Sequence, residues 1–327
     1  MSVRGSQSGI AEAFLHPSVG RNERLEKISE QIDWSVVERS LEGLRSGRTG
    51  KPPYPALLMF KALLLQQWYG LSDPGLEEAL CDRMSFRRFV GLQGDQRAPD
   101  HATLWRFRQA LTALAGDQAA FEAVSGQLDA QGLIVRQGSL IDASLVAAQS
   151  RPPELPKPGE IKQGASKLVR SAREPDAGWT RRGSRRVFGY KVHVTVDQGG
   201  GLVRRVMMTA ANVNDTVPAD QLIIGDEKAV FADKAYDSKA RSALLKKLGV
   251  KNRICRRGNK HHQLSPWSQK RDKAIAKVRG RVETAFAILK RHYHRGRARY
   301  LTLARNQTDV VMACIAMNLR RALVLTT

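Results

Sequence analysis

The chain has 327 residues, with 54 Lys plus Arg against 31 Asp plus Glu and a formal charge of +23 at pH 7. That length suits one large or two ordinary domains. The charge far exceeds the roughly 2 to 8 that solubility asks of a small domain, so it implies a polyanionic partner, nucleic acid first. The longest apolar run, around Pro55 to Leu65, is broken by Lys61 and falls short of the roughly 20 residues of a membrane span. With no secretory signal pattern in MSVRGSQSGIAEAF, a cytoplasmic protein without membrane contact is expected. Cys81, Cys255 and Cys314 are odd in number and scattered, which argues for reduced, buried thiols.

From Tyr54 to Tyr69, Leu57, Phe60, Leu64 and Trp68 recur at three and four, the period of a helix, bounded by prolines before it and Gly70 after it. LSDPGLEEALCDRMSFRRFVGL reads as two short helices, the first capped by Ser72, the second opening at Ser85. APDHATLWRFRQALTAL adds a third behind Asp100 as cap, with Arg106 and Arg108 projecting away from its apolar face. Three short helices ending in a basic one suggest a helix-turn-helix arrangement, so Arg106 and Arg108 are candidate DNA contacts. A further helix near Gln118 to Gln131 completes an all-helical N-terminal domain, residues 1–135.

Short β-branched runs then replace helical spacing, opening a second domain, residues 136–327. GSLIDASLV is the first strand. Residues 150–187, rich in Pro and Arg and poor in apolar residues, read as a long basic mobile loop in which Arg181 and Arg182 could hold phosphates. FGYKVHVTVD and LVRRVMMTAA form a hairpin across QGGG. NVNDTVPADQLI opens a helix with Asp215 or Thr216 as cap, and KAVFADKAYDS and VKNRICRR each carry a short strand. Ser265 and Pro266 start a helix expected to run unbroken to Gly296. This order of strands and helices is that of an α/β, ribonuclease H-like mixed sheet with flanking helices.

Asp142 and Asp233 each follow an apolar strand run, the position from which acids are delivered at the margin of a sheet. Two carboxylates about 4 Å apart repel by about 4 kcal/mol at an effective dielectric near 20, a cost that a divalent cation offsets. Oxygen ligands favour Mg²⁺ or Mn²⁺. Glu283, in RGRVETAFAILKR beside the apolar Ala285, Phe286 and Leu289, is the candidate third ligand; a surface ion pair with Arg279 is its bland alternative. Asp197, Asp215 and Asp237 have structural explanations as turn or cap residues.

These residues resemble the DDE transposases of bacterial insertion sequences, in the group containing insertion-sequence families four and five. The stretches that carry the resemblance are LIDASLVAA, EPDAGWT, FGYKVHVTVD, TAANVNDT, VFADKAYDS and RVETAFAILKR, in the family's order, with the helical region from Tyr54 onward also similar. The resemblance implies a metal triad of Asp142, Asp233 and Glu283 holding two Mg²⁺ or Mn²⁺ ions. It also implies cleavage at insertion-sequence ends and transfer of the freed 3′-hydroxyl into target DNA. Of the family's helix signature, Arg279, Glu283 and Lys290 fit, and Ala276 stands where a Tyr is expected; Arg279 and Lys290 become candidate DNA contacts. The implied partners are double-stranded terminal repeats and target DNA within a bacterial nucleoid, and joining two ends suggests a homodimer or higher assembly. An inactive DNA-binding regulator and a nuclease without joining activity are the competing readings.

Overall fold

The computed structural model describes residues 20–44, 53–93, 95–150, 173–182, 185–258 and 265–326. The chain divides into two units, one running to Gln127 and the other Leu128–Leu325, against an expected boundary at 135/136. The first unit is helical, with α1 (Glu23–Gln31), α2 (Trp34–Ser40), α3 (Ala56–Tyr69), α4 (Asp73–Asp82), α5 (Met84–Val90) and α6 (His101–Ala113); α7 (Gly116–Ala130) follows. α3 starts at Pro55 and stops at Gly70, whose φ of +63° lets its N–H turn back to the Gln66 carbonyl. It is buried on nearly every side, Gln66 and Gln67 included, as befits the central helix of a bundle. Lys61, the charge within that run, lays its ammonium 4.3 Å from the Trp34 ring centre, and burial lowers its pKa to about 8. Ser72 caps α4 through the Gly75 N–H and Asp100 caps α6 through the Thr103 N–H, both as the sequence suggests.

The second unit is built on β1 (Ser139–Ala147), β2 (Gly178–Arg182), β3 (Arg185–Asp197), β4 (Val203–Ala210), β5 (Ala229–Ala232) and β6 (Lys251–Ile254). Around these strands come α8 (Ala219–Leu222), α9 (Lys239–Lys247), α10 (Pro266–Arg279), α11 (Val282–Arg291) and α12 (Leu303–Thr326). The strands lie in the order β2-β3-β1-β5-β6, with β4 also on β3. β1 runs antiparallel to β3 and parallel to β5, which is parallel to β6, giving a ribonuclease H-like mixed sheet. β2 and β4 share one edge of β3 end to end, β2 reaching Gly189 and β4 beginning at Tyr190. Glycine is required at that changeover: a Cβ on Gly189 would fall 2.1 Å from the Val146 carbonyl oxygen of β1. Ile141, Leu222, Val230, Ala232, Leu245 and Ile254 form a buried cluster that joins strands to α8 and α9.

Several expectations change. β2 falls inside the stretch expected to be a loop, because its pairing with β3 supplies the order that its own composition does not signal; residues 151–172 and 183–184 of that stretch lie outside the described residues. The buried Glu174 accepts hydrogen bonds from the Ser150 N–H and the Tyr190 hydroxyl, pinning the far end of the stretch beside its start. The helix after NVNDT shrinks to one turn with Pro218 at its cap, so neither Asp215 nor Thr216 caps it. Ser238 rather than Asp237 caps α9, and Asp237 accepts the Arg257 N–H instead. The long C-terminal helix breaks at Gly280 and Arg281, where hydrogen bonds to the third residue back interrupt the ladder. Cys255 and Cys314 are buried, Cys81 is exposed, and all three are free thiols. Among the described residues no helix is long and apolar enough to cross a membrane.

Candidate active site

Asp142 is the fourth residue of β1 and follows the buried Ile141, so strand alternation turns it to the opposite face. Its side chain is 20% exposed. One oxygen accepts the Ala143 N–H at 2.8 Å and the other meets Arg279 Nη1 at 2.7 Å. Burial pushes the Asp142 carboxyl above its usual range, and the charges of Asp233 and Asp215 add to that push against the Ala143 N–H and Arg279.

Asp233 directly follows β5, which runs parallel to β1. Ser139 pairs with Val230 and Leu140 with Phe231, so Asp142 and Asp233 each stand two residues beyond the last paired residue of β1 or β5, and the Asp233 charge acts on Asp142. Asp233 ends the strand and caps a single 3₁₀ turn, Lys234–Tyr236, accepting the Lys234 N–H at 2.7 Å. Beneath that turn the Tyr236 ring is buried, and its phenol is held far above its usual range by burial, then by the charges of Asp142 and Asp215.

Glu283 opens α11, which packs against β1. Its side chain is 68% exposed and lies 3.5 Å from Arg279 Nη2. One guanidinium, at the last position of α10, therefore bridges Asp142 and Glu283. The break at Gly280 falls between the arginine and the glutamate, so two helix ends rather than one continuous face present them.

Asp142, Arg279 and Glu283 line a cleft of about 610 Å³ with Lys191, Asp215, Arg181 and Lys290. Asp215 is the residue that the sequence reading passed over. A short acid three residues before a proline looks like a cap, and the return of the 211–218 segment to β3 brings it to the cleft, where Lys191 Nζ lies 2.8 Å away. Of the other basic candidates, Arg106 is exposed and among the described residues bonds only within its own helix, to the Ala102 carbonyl and Thr103 hydroxyl. Arg108 is 3% exposed, its guanidinium held by Asp73 and Gln66; it is a buried strut of the bundle, not the DNA contact expected of it. The Arg182 side chain lies outside the described residues.

The acids offer hard oxygen donors of the kind Mg²⁺ and Mn²⁺ take, and the upward push on Asp142 is what an additional cation would relieve. In that chemical sense the residues fit a divalent metal. The neutralising charge here is Arg279, and among the described residues no group of three His, Cys, Asp or Glu stands at metal-holding distance. Glu283 reaches Asp142 through the arginine.

Comparison with known families matches residues 135–319 to the model described as "Transposase DDE domain", and residues 14–110 to one described as "Transposase domain (DUF772)". No solved structure matches the chain. The first match spans more than half of the sequence and contains every acid of the cleft. The chain belongs to the DDE transposases, a family of phosphoryl-transfer enzymes that act on DNA.

Proposed function

We propose that this transposase cleaves DNA at insertion-sequence ends and transfers the freed 3′-hydroxyl into target DNA, with Asp142, Asp233 and Glu283 holding two divalent ions. The observation that carries this reading is the parallel pairing of β1, which bears Asp142, with β5, which leads into Asp233, together with Glu283 on the same cleft as Asp142. When bound, the ions would supply Lewis-acid activation of the attacking oxygen and charge for the leaving oxygen. The protein's part is to hold that geometry rigidly. Asp142 is fixed within a strand and Asp233 by its bond to the turn behind it, while Glu283 approaches from a helix end. In the first step a water oxygen bonds to phosphorus and the P–O3′ bond breaks, leaving a 3′-hydroxyl and a 5′-phosphate. In the second, that hydroxyl replaces water and attacks a target phosphodiester, so one bond forms for each that breaks and no covalent protein intermediate is needed.

Around this centre, Lys290 and Arg181 line the cleft and are proposed to hold phosphates, with Arg279 joining them once it leaves the acids; such contacts position DNA without reading its sequence. Arg106 on the helical unit is a proposed contact to the terminal repeat. Two ends must meet for joining, so a homodimer or higher assembly on DNA is proposed. The test is incubation of the full chain with Mg²⁺ or Mn²⁺ and labelled duplexes carrying the element's ends. Metal-dependent 3′-hydroxyl ends and joined products are expected from the unaltered chain. Asp142→Asn, Asp233→Asn and Glu283→Gln should each lower the rate at least about 10³-fold, roughly 4 kcal/mol in the barrier. Binding without cleavage would instead identify a regulator, and cleavage without joining a nuclease.

A further inference from the structure

We infer that Asp215, which lines the cleft beside Asp142 and Glu283, is a fourth acid added to the proposed triad, a positioning residue that sets the cleft's affinity for divalent cations, with Lys191 as its resident counter-ion. This rests on the metal-dependent reading above and goes beyond its three acids. Asp215 lines the same cleft as Asp142 and Glu283, and it makes no cap, since Pro218 holds the cap position of the short helix that follows and Asn214 takes the Thr216 N–H. Its carboxylate is not needed to hold its own segment in place. Lys191 Nζ donates to the Val213 carbonyl at 2.7 Å on one side, and Arg241 Nη2 donates to the Thr216 carbonyl at 2.9 Å on the other. Asp215 is thus carried to the cleft by its neighbours' bonds.

Its contact with Lys191 is one of charge. Asp215 Oδ1 lies 2.8 Å from the ammonium, yet among the described residues this buried oxygen has no aligned hydrogen bond. Two further buried polar atoms, the Tyr236 hydroxyl and His193 Nδ1, also lack hydrogen-bond partners among the described residues. Tyr236 is 2% exposed and His193 0% exposed. The Asp215 charge acts on both, and the charges of Asp142 and Asp233 act on Tyr236 as well. Acids that converge on a buried hydroxyl, in a chain of net charge +23, make a local negative field opposite in sign to the molecule around it. Arg279 and Lys191 at the acids, and Arg241 at the Tyr236 hydroxyl, are among the cations that oppose that field. A divalent ion entering the cleft gains from Asp215 and works against Lys191.

The two partners therefore have opposite effects, which a mere tether between them would not produce. Free Mn²⁺ titrated against the full chain and followed by electron paramagnetic resonance reads the affinity without any turnover. Asp215→Asn should weaken Mn²⁺ binding about fivefold and Lys191→Gln should tighten it about fivefold, about 1 kcal/mol each way. Asp215→Glu, which keeps the charge, should bind as the unaltered chain does. Shifts of the same sign in Asp215→Asn and Lys191→Gln, or none in either, would overturn the inference while Asp142→Asn still abolishes binding. If Asp142→Asn leaves Mn²⁺ binding intact, the cleft is not the cation site, and the three-acid reading falls together with the fourth. Should Asp215→Asn fail to fold, unchanged affinity in Lys191→Gln is sufficient to refute the role.

Discussion

Two arginine–aspartate pairs, one in each unit, have the same 2.7 Å contact and opposite meanings. In the helical unit Arg108 meets Asp73 with side chains 4% and 21% exposed, and a second tie to Gln66 at 3.0 Å. In the catalytic unit Arg279 meets Asp142 with both side chains 20% exposed, on an open cleft, and its other nitrogen is shared with the largely exposed Glu283. Distance does not separate a strut from a placeholder. Burial and the number of further ties do, because a buried charge left alone has no water to turn to, whereas one on a cleft can exchange its partner for another ion.

The largest effect should come from breaking the strut. Arg108→Met strands Asp73 beside a buried Gln66 and should destabilise the helical unit by about 3 kcal/mol, read as a lowered denaturation midpoint. Arg106→Ala, at a side chain that among the described residues bonds only within its own helix, should leave that midpoint nearly unchanged. If the two variants proved equally harmless, burial would not be what distinguishes the pairs.

The wall of the catalytic unit should behave like the strut when acid is added. His193 is 0% exposed on β3, opposite Ala143, with Nε2 bonded to the Thr209 hydroxyl at 2.9 Å. Burial lowers its pKa to about 4, with the Asp215 charge opposing. An unfolded His titrates near 6.5, so between those values the unfolded chain binds more protons and stability falls as pH falls. From pH 7 to pH 5 this one group should remove about 2 kcal/mol. His193→Leu should flatten that part of the pH profile in urea melts, and an unaltered slope would refute the assignment.

At the placeholder the sign reverses and the effect is smaller. Arg279→Gln removes the charge with which a cation must compete, and should tighten Mn²⁺ binding by the free chain about tenfold, about 1.4 kcal/mol. The unaltered chain should approach that affinity only when DNA phosphates give the guanidinium another partner. Weaker Mn²⁺ binding by Arg279→Gln would make the arginine a support of the metal site rather than a stand-in for the ion.

The same contrast explains what the sequence could and could not reveal. The strand that bears Asp142 and the one that leads into Asp233 were legible because each is a short apolar run, and the helix of Glu283 because Ala285, Phe286 and Leu289 keep helical spacing. The Arg108 strut was not, since its partner lies 35 residues away and a basic residue on a helix reads as solvated or DNA-facing until that partner is known. β2 was hidden because its five residues take their order from β3. Asp215 was hidden because the proline that suggested a cap became the cap itself. The gap at Gly280 is local, but the sequence around it keeps helical spacing, so only the hydrogen-bond ladder reveals it.

Arg279 is proposed to stand in for metal between acids that close on an ion when DNA is bound. Crystals of the full chain with its terminal repeat and Mn²⁺, measured at the manganese absorption edge, test it directly through anomalous scattering. Manganese is expected about 2.1 Å from carboxylate oxygens of Asp142, Asp233 and Glu283, with Arg279 off Asp142 and on a phosphate. Manganese bound elsewhere, or bound in the cleft while the Arg279–Asp142 pair stays closed, would contradict it.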